Sequence, residues 1–233
     1  SMRHKTFVAA LLATAALGAQ AGALQLTVTD KDGKPAPDVV VLVDVPIRPV
    51  VTMTPVTATI AQEGLKFQPF LTVVPVGSTL RFVNRDRYDH HVRSQPSGPL
   101  GAVPAVQAFE LRLDAAEGAS AGSDDYQNPH AAPRKKSGTS QVDVKTEKAG
   151  PIGLGCHIHG SMRGQVYVVD TPWFAKTDAD GIARIAAVPD GPIQVTLWHP
   201  DQLQDQPLVR AEATAAPLAL SAGLNFVPRR RRN

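Results

Sequence analysis

From Asp178 to Pro200 the sequence reads DADGIARIAAVPDGPIQVTLWHP: a turn, an alternating run, a second turn and a second alternating run. Alternation with period two puts successive side chains on opposite faces of an extended chain, so each run has one face to bury. The same grammar holds near the start. There LQLTVTD (24–30) leads through a KDGKP turn into the β-branched VVVLVDV (39–45). QPLVRAEATA and LALSAGLNFV extend it towards the end. The middle supplies six more short runs: FLTVVPVG (70–77), TLRFVN (79–84), VQAFELRL (106–113), SQVDVKTE (140–147), PIGLGC (151–156) and GQVYVVD (164–170). Short strands at regular spacing between turn residues predict an all-β chain built as sandwiches or barrels. The 20 prolines and 18 glycines among 233 residues exclude a long helical bundle or coiled coil.

Two stretches fall outside this pattern. Residues 114–139, DAAEGASAGSDDYQNPHAAPRKKSGT, contain no Val, Ile, Leu, Met or Phe. Such a segment cannot anchor itself in a core, and it predicts a mobile loop with a solvated His130. Residues 1–21 combine a basic start (Met2-Arg3-His4-Lys5), the apolar run TFVAALLATAAL and the small-residue site Ala19-Gln20-Ala21. That order predicts a secretory signal peptide removed before Gly22, and with it an exported, periplasmic protein. The run is short for a bilayer span and no second one follows, so stable membrane insertion is not expected. The formal charge is +3, and Arg3 and Lys5 supply two of those charges. Removal of the leader leaves a nearly balanced chain, which gives nucleic-acid binding no support. The basic tail at 229–233 reads as a solvated terminus.

The chain has one cysteine. An internal disulfide and a Cys-rich zinc or iron–sulfur site are therefore excluded. An unpaired cysteine in an exported protein calls for a chemical reason, and the residues after it supply one. In GLGCHIHGSMRG (153–164), Cys156, His159 and Met162 fall at i, i+3 and i+6 between two expected strands. A tight turn there aims a thiolate, an imidazole and a thioether at one point. These donor types match a blue-copper centre, trigonal His₂Cys with a long axial Met. The second imidazole must come from elsewhere. FVNRDRYDHHVRS (82–94) offers His90 and His91 just after a strand, and the pleat turns one of them towards a metal and the other away.

Cys156-x-x-His159-x-x-Met162-Arg163-Gly164 resembles the ligand loop of amicyanins, within the cupredoxin family of plastocyanin-like blue copper proteins. VNRDRYDHHV resembles that family's first-ligand loop, in which an Asn precedes the ligand His by six residues and a Val follows it by two. Asn84 and Val92 satisfy both offsets for His90 and not for His91. The resemblance thus implies one type 1 copper held by His90, Cys156, His159 and Met162. It also implies a hydrogen bond from Asn84 across to the cysteine-bearing loop. His157-Ile158 departs from the family pattern, and so does the 114–139 insertion. His91 and His157 then read as near-site or surface groups. The flanks are similar to the transthyretin-like, carboxypeptidase-regulatory-type sandwich, here split in two. The implied architecture is a cupredoxin Greek-key β-sandwich (56–170) inserted in a second small β-sandwich (22–55 and 171–228). Bacterial exported proteins of the methylamine-utilisation-like group share that arrangement.

What this implies is a periplasmic carrier of single electrons by Cu(II)/Cu(I) cycling, with a cytochrome or a dehydrogenase as redox partner. Arg85, Arg87, Arg93 and Arg163 lie around the metal loops, either as solvated charge or to steer an acidic partner. No G-x-S-x-G, H-E-x-x-H or paired-carboxylate pattern points to an enzyme. Two rival readings are copper delivery or sequestration, and a structural interaction module with a vestigial copper site. Delivery would favour extra Met and His clusters, whereas past the leader the chain holds only Met53 and Met162.

Overall fold

A computed structural model of the chain describes residues 22–46, 50–98, 107–116 and 139–231. The leader pattern at 1–21, most of the 114–139 run including His130, and the end of the basic tail lie outside the described residues. Sixteen strands occupy the described residues. The first two are β1 (Gly22–Thr29) and β2 (Val40–Asp44). The middle of the chain forms β3 (Thr57–Glu63), β4 (Lys66–Gln68), β5 (Leu71–Pro75), β6 (Thr79–Asn84), β7 (His90–Gln95), β8 (Glu110–Leu113), β9 (Gln141–Lys145), β10 (Gly150–Gly155) and β11 (Arg163–Val169). The last part forms β12 (Phe174–Lys176), β13 (Ile182–Val188), β14 (Gly191–Trp198), β15 (Val209–Ala213) and β16 (Leu218–Gly223). Among the described residues no helix is long and apolar enough to cross a membrane.

These strands make four sheets. β13-β1-β16 and β12-β2-β14-β15 combine the two ends of the chain, while β4-β3-β6-β9 and β5-β11-β10-β7-β8 use only its middle. The alternation read in the sequence is the alternation of burial. Leu24, Leu26 and Val28 of β1 point inward, and Leu80, Phe82 and Asn84 do so along β6. Two separate cores result. In one, Leu26 and Val28 pack with Val41, Val43, Val195 and Leu197. In the other, Ile60, Leu80 and Phe82 pack with Val92, Leu154, Val166 and Val168, and Cys156 and Met162 belong to it. Each fully buried aliphatic side chain contributes about 1.5–3 kcal/mol.

Some elements differ from expectation. VQAFELRL was read as a strand from 106, but β8 begins at Glu110. The hairpin β3–β4 and the short β12 have no counterpart in the sequence reading. The β3–β4 turn is Gly64-Leu65, both with positive φ (59° and 60°). Two left-handed residues make the hairpin turn that matches strand twist, a position usually signalled by Asn-Gly. Leucine gives no such signal.

The two halves touch. The Tyr167 and Trp198 rings lie 5.0 Å apart, Lys176 Nζ donates to the Leu71 carbonyl at 3.1 Å, and the Arg231 guanidinium sits 3.7 Å above the Phe70 ring. Beside this seam His199 is 1% exposed, with Nδ1 accepting the Asp201 N–H at 3.0 Å. Burial, aided by Arg231 and opposed by Asp201 and Asp38, holds its pKa down to about 4. The unfolded chain takes up that proton near pH 6.5, so stability present above that pH is lost as pH falls towards 4. Between pH 7 and pH 5 the loss is expected to be about 2 kcal/mol. Urea midpoints should fall accordingly, and His199→Gln should flatten the dependence. Equal slopes for the two proteins would refute it.

Candidate metal centre

Two strand ends build the site. β7 opens with His90, and β10 runs out at Gly155 into Cys156. The strands are hydrogen-bonded neighbours, with Gly155 opposite Arg93, so the two ends are held close. After Cys156 the chain turns back into β11. The His159 amide donates to Cys156 Sγ at 3.4 Å, and the Met162 amide donates to the His159 carbonyl at 3.0 Å. These bonds close the Cys-x-x-His-x-x-Met turn.

The result is a three-donor cluster. His90 Nδ1 and His159 Nδ1 are 3.2 Å apart, and Cys156 Sγ lies 3.9 Å from the first and 3.7 Å from the second. A trigonal ion with ordinary metal–nitrogen and metal–sulfur bonds would space such donors about 3.6 Å (N to N) and about 3.8 Å (N to S). The donor set therefore fits one ion as it stands. Cys156 and His90 are buried and His159 is half-exposed, so one imidazole is the contact with the outside. Met162, 1% exposed, packs into the core below the turn. Of the four residues expected as ligands, three thus share one point and the fourth lies in the core beside them.

The electrostatics suit a thiolate. Burial pushes the Cys156 thiol up, but bonds from the His90 ring, the His159 and His91 amides and the His159 ring outweigh it and draw its pKa down to about 6. His90 is the counterpart. Burial pushes it down, and Cys156 and Asp86 together hold it above the ordinary imidazole value.

Asp86 was not singled out in the sequence, and it organises the site. Its Oδ2 lies 2.8 Å from His90 Nε2. The Gly64 and Leu65 amides donate to the same carboxylate, at 2.8 and 3.3 Å. Burial pushes its pKa up, but these bonds hold it below the usual carboxylate range. An ionised Asp86 accepts a hydrogen bond from His90 Nε2–H, which leaves the Nδ1 lone pair facing Cys156 and His159. The unexpected leucine turn is therefore a two-amide cradle for the carboxylate that orients a ligand. Tyr88 was also missed. Its ring lies 5.2 Å from that of His90 and 5.3 Å from that of His159, covering both imidazoles.

Asn84 has a different role from the one implied by resemblance. Its Nδ2 donates to the Tyr88 carbonyl at 2.8 Å and the Asp114 carbonyl at 2.9 Å, and its Oδ1 accepts the Asp86 amide at 2.9 Å. It braces the 85–88 loop that carries Asp86 and Tyr88 rather than the cysteine-bearing loop. The acid is what an Asn at this position can organise locally. Of the four arginines, all exposed, Arg85 faces Glu63 at 3.5 Å and Arg163 donates to the Met162 carbonyl at 2.8 Å.

No protein-family model and no curated protein matches the chain. Solved structures do. A copper(I) form of an amicyanin variant matches at 19% identity and TM-score 0.32, over 48% of this chain and 82% of that one. A purple cupredoxin from Nitrosopumilus maritimus matches at 18% identity and TM-score 0.33, over 48% of this chain and 99% of that one. A copper-containing nitrite reductase from Thermus scotoductus SA-01 matches at 20% identity and TM-score 0.35, over 53% of this chain but 26% of the enzyme. These are low TM-scores, over about half of this chain.

Proposed function

We propose that this chain is a cupredoxin-like protein that binds one type 1 copper ion and carries single electrons in the periplasm. The observation that carries this reading is the convergence of one thiol and two imidazoles to within 3.2–3.9 Å, with the thiol drawn down to about 6. Bound copper would supply one-electron chemistry by cycling between Cu(II) and Cu(I). The chain's own residues supply the rest. Cys156 is the anionic donor. His90 is fixed in one tautomer by Asp86, and a fixed donor set keeps rearrangement small when charge changes. Tyr88 and the core around Met162 keep water from the buried side. Met162 would supply the weak thioether donor. Half-exposed His159 is the side on which a redox partner, a cytochrome or a dehydrogenase, would exchange electrons. Three close donors and the Met162 thioether would leave no open position for a substrate, which favours a carrier over an enzyme. The leader pattern at 1–21 supports export.

Titration of the purified protein with Cu(II) tests the reading. One equivalent should give an intense blue thiolate-to-copper band and narrow copper hyperfine splitting, and Cys156→Ser should lose both entirely. A colourless protein with ordinary Cu(II) signals would sink it.

A further inference from the structure

Gln62 belongs neither to the three-donor cluster nor to the loop that braces it, yet it is fully buried. It lies in β3 directly beside Asn84 of β6, in the last pair of that ladder. The one hydrogen bond of its side chain among the described residues crosses to β7, where Nε2 donates to the His91 carbonyl at 3.4 Å. Its Oε1 is buried without a partner. A buried amide with one end unmatched adds little net stability, because desolvation of the unmatched oxygen offsets the bond made by the nitrogen. An apolar side chain of the same volume fills the space without that loss. What glutamine adds is its hold on His91.

His91 stands where β7 runs out of backbone partners on one edge. The Ser94 amide donates to the Phe109 carbonyl at 3.0 Å, just before β8. Backbone groups of an antiparallel strand alternate between its two neighbours, so those of His91, Arg93 and Gln95 turn to the β10 side. The last pair of the β7–β10 ladder is Arg93 with Gly155. The chain then leaves the ladder at Cys156, and side chains take the place of the missing strand. The His91 amide donates to the Cys156 sulfur, and the His91 carbonyl accepts from Gln62.

We propose that Gln62 is a positioning residue for the sulfur donor: it holds the His91 backbone so that the His91 amide stays aimed at Cys156 Sγ. The inference rests on the copper reading of the cluster, and under it Gln62 tunes the ion without touching it. An N–H aimed at a thiolate stabilises negative charge on sulfur. A reduced ion leaves more of that charge there, so the bond favours Cu(I). Loosening it lowers the reduction potential.

Amide hydrogen exchange of the metal-free protein, read by NMR, tests the hold. In the wild type the His91 amide and one Gln62 Nε2 proton should be protected. Gln62→Met keeps the volume and drops the donor, and Gln62→Asn keeps a donor on a side chain one methylene shorter. In both, exchange at His91 should quicken about tenfold relative to Val92, whose amide faces β8. With copper bound, both variants should keep the blue band at a shifted maximum and show a lower reduction potential. A kept blue band with an unchanged potential overturns the proposal even where exchange quickens, because Gln62 is then a brace only. Fast exchange of both Gln62 Nε2 protons in the wild type also overturns it, and that result needs no variant to fold. Absence of any blue band in the wild type sinks the copper reading alone, since exchange at His91 still decides what Gln62 holds.

Discussion

Asp86→Ala is expected to lower unfolding stability by about 2–4 kcal/mol, since a hydrogen bond to a charged group contributes about 1.5–3 kcal/mol, and copper affinity by about 10–100-fold, as lost outer partners of metal ligands do. One side chain does both because one carboxylate takes three donors: the Gly64 and Leu65 amides and His90 Nε2. His90 is fully buried and Asp86 is 9% exposed, so water cannot replace the lost partner freely. Alanine strands the buried ring N–H of His90 and takes the charged acceptor from two amides of an exposed turn. Asp86→Asn separates the two effects. Its carbonyl oxygen still accepts from the Gly64 amide, so part of the stability returns. Its NH₂ then faces His90 Nε2 and favours the tautomer with the proton on Nδ1, which points a hydrogen where a lone pair is needed. Urea unfolding and copper titration of both variants give the measurement. The asparagine protein should fold well and bind copper poorly. If it binds copper like the wild type, Asp86 is a structural brace and nothing more.

Gly181→Ala should cost about 3–5 kcal/mol, while Gly33→Ala costs about 1–2, although the two turns are built alike. In each, the Asp that opens the turn accepts two backbone amides through Oδ1: Asp30 from Asp32 and Lys34, Asp178 from Asp180 and Ile182. Both glycines have left-handed φ, 79° and 74°. A methyl group on Gly33 would meet nothing within 4 Å. On Gly181 it would stand 2.3 Å from the Val28 carbonyl oxygen and 3.0 Å from the Ala36 amide. Both contacts are backbone, so neither can swing away. The Gly181 carbonyl also accepts the Val28 amide at 2.7 Å, which ties the first strand of the chain to the thirteenth. The backbone strain is common to both variants, so the difference between their denaturant midpoints reads the collision. Equal losses would refute the close approach.

The strands were legible because burial on one face forces a period of two, and β6 falls on the six residues TLRFVN that predict it. The cysteine turn was legible because its donors are local: a thiol, an imidazole and a thioether within seven residues. What the sequence hid was contact over distance between ordinary residues. Asp86 is one of four charged residues in a polar loop, and only the 22-residue reach to Gly64 distinguishes it. Gly64-Leu65 carries a bulky side chain where turn chemistry asks for Asn or Gly, so the hairpin that cradles Asp86 gave no signal. The Asn84 reading came from resemblance, and the side chain instead found nearer partners at Tyr88 and Asp114.

The interleaving of the two ends of the chain has a consequence for synthesis. β1 lies between β13 and β16, so the backbone groups along both its edges have no partners until those late strands exist. The middle of the chain needs no such wait. Its two boundaries already converge, since Thr79 bonds the Val56 carbonyl at 2.8 Å and Val76 bonds the Val169 carbonyl at 2.9 Å. Folding of the middle therefore brings residues distant in sequence into neighbouring positions, and it removes most of the loop-closure cost for the sheets that follow. The half that holds the His90, Cys156 and His159 cluster acts as an internal clasp for its neighbour, and a chain cut short before β16 leaves a ready target for proteolysis. Completeness of the polypeptide is thus checked by the fold itself.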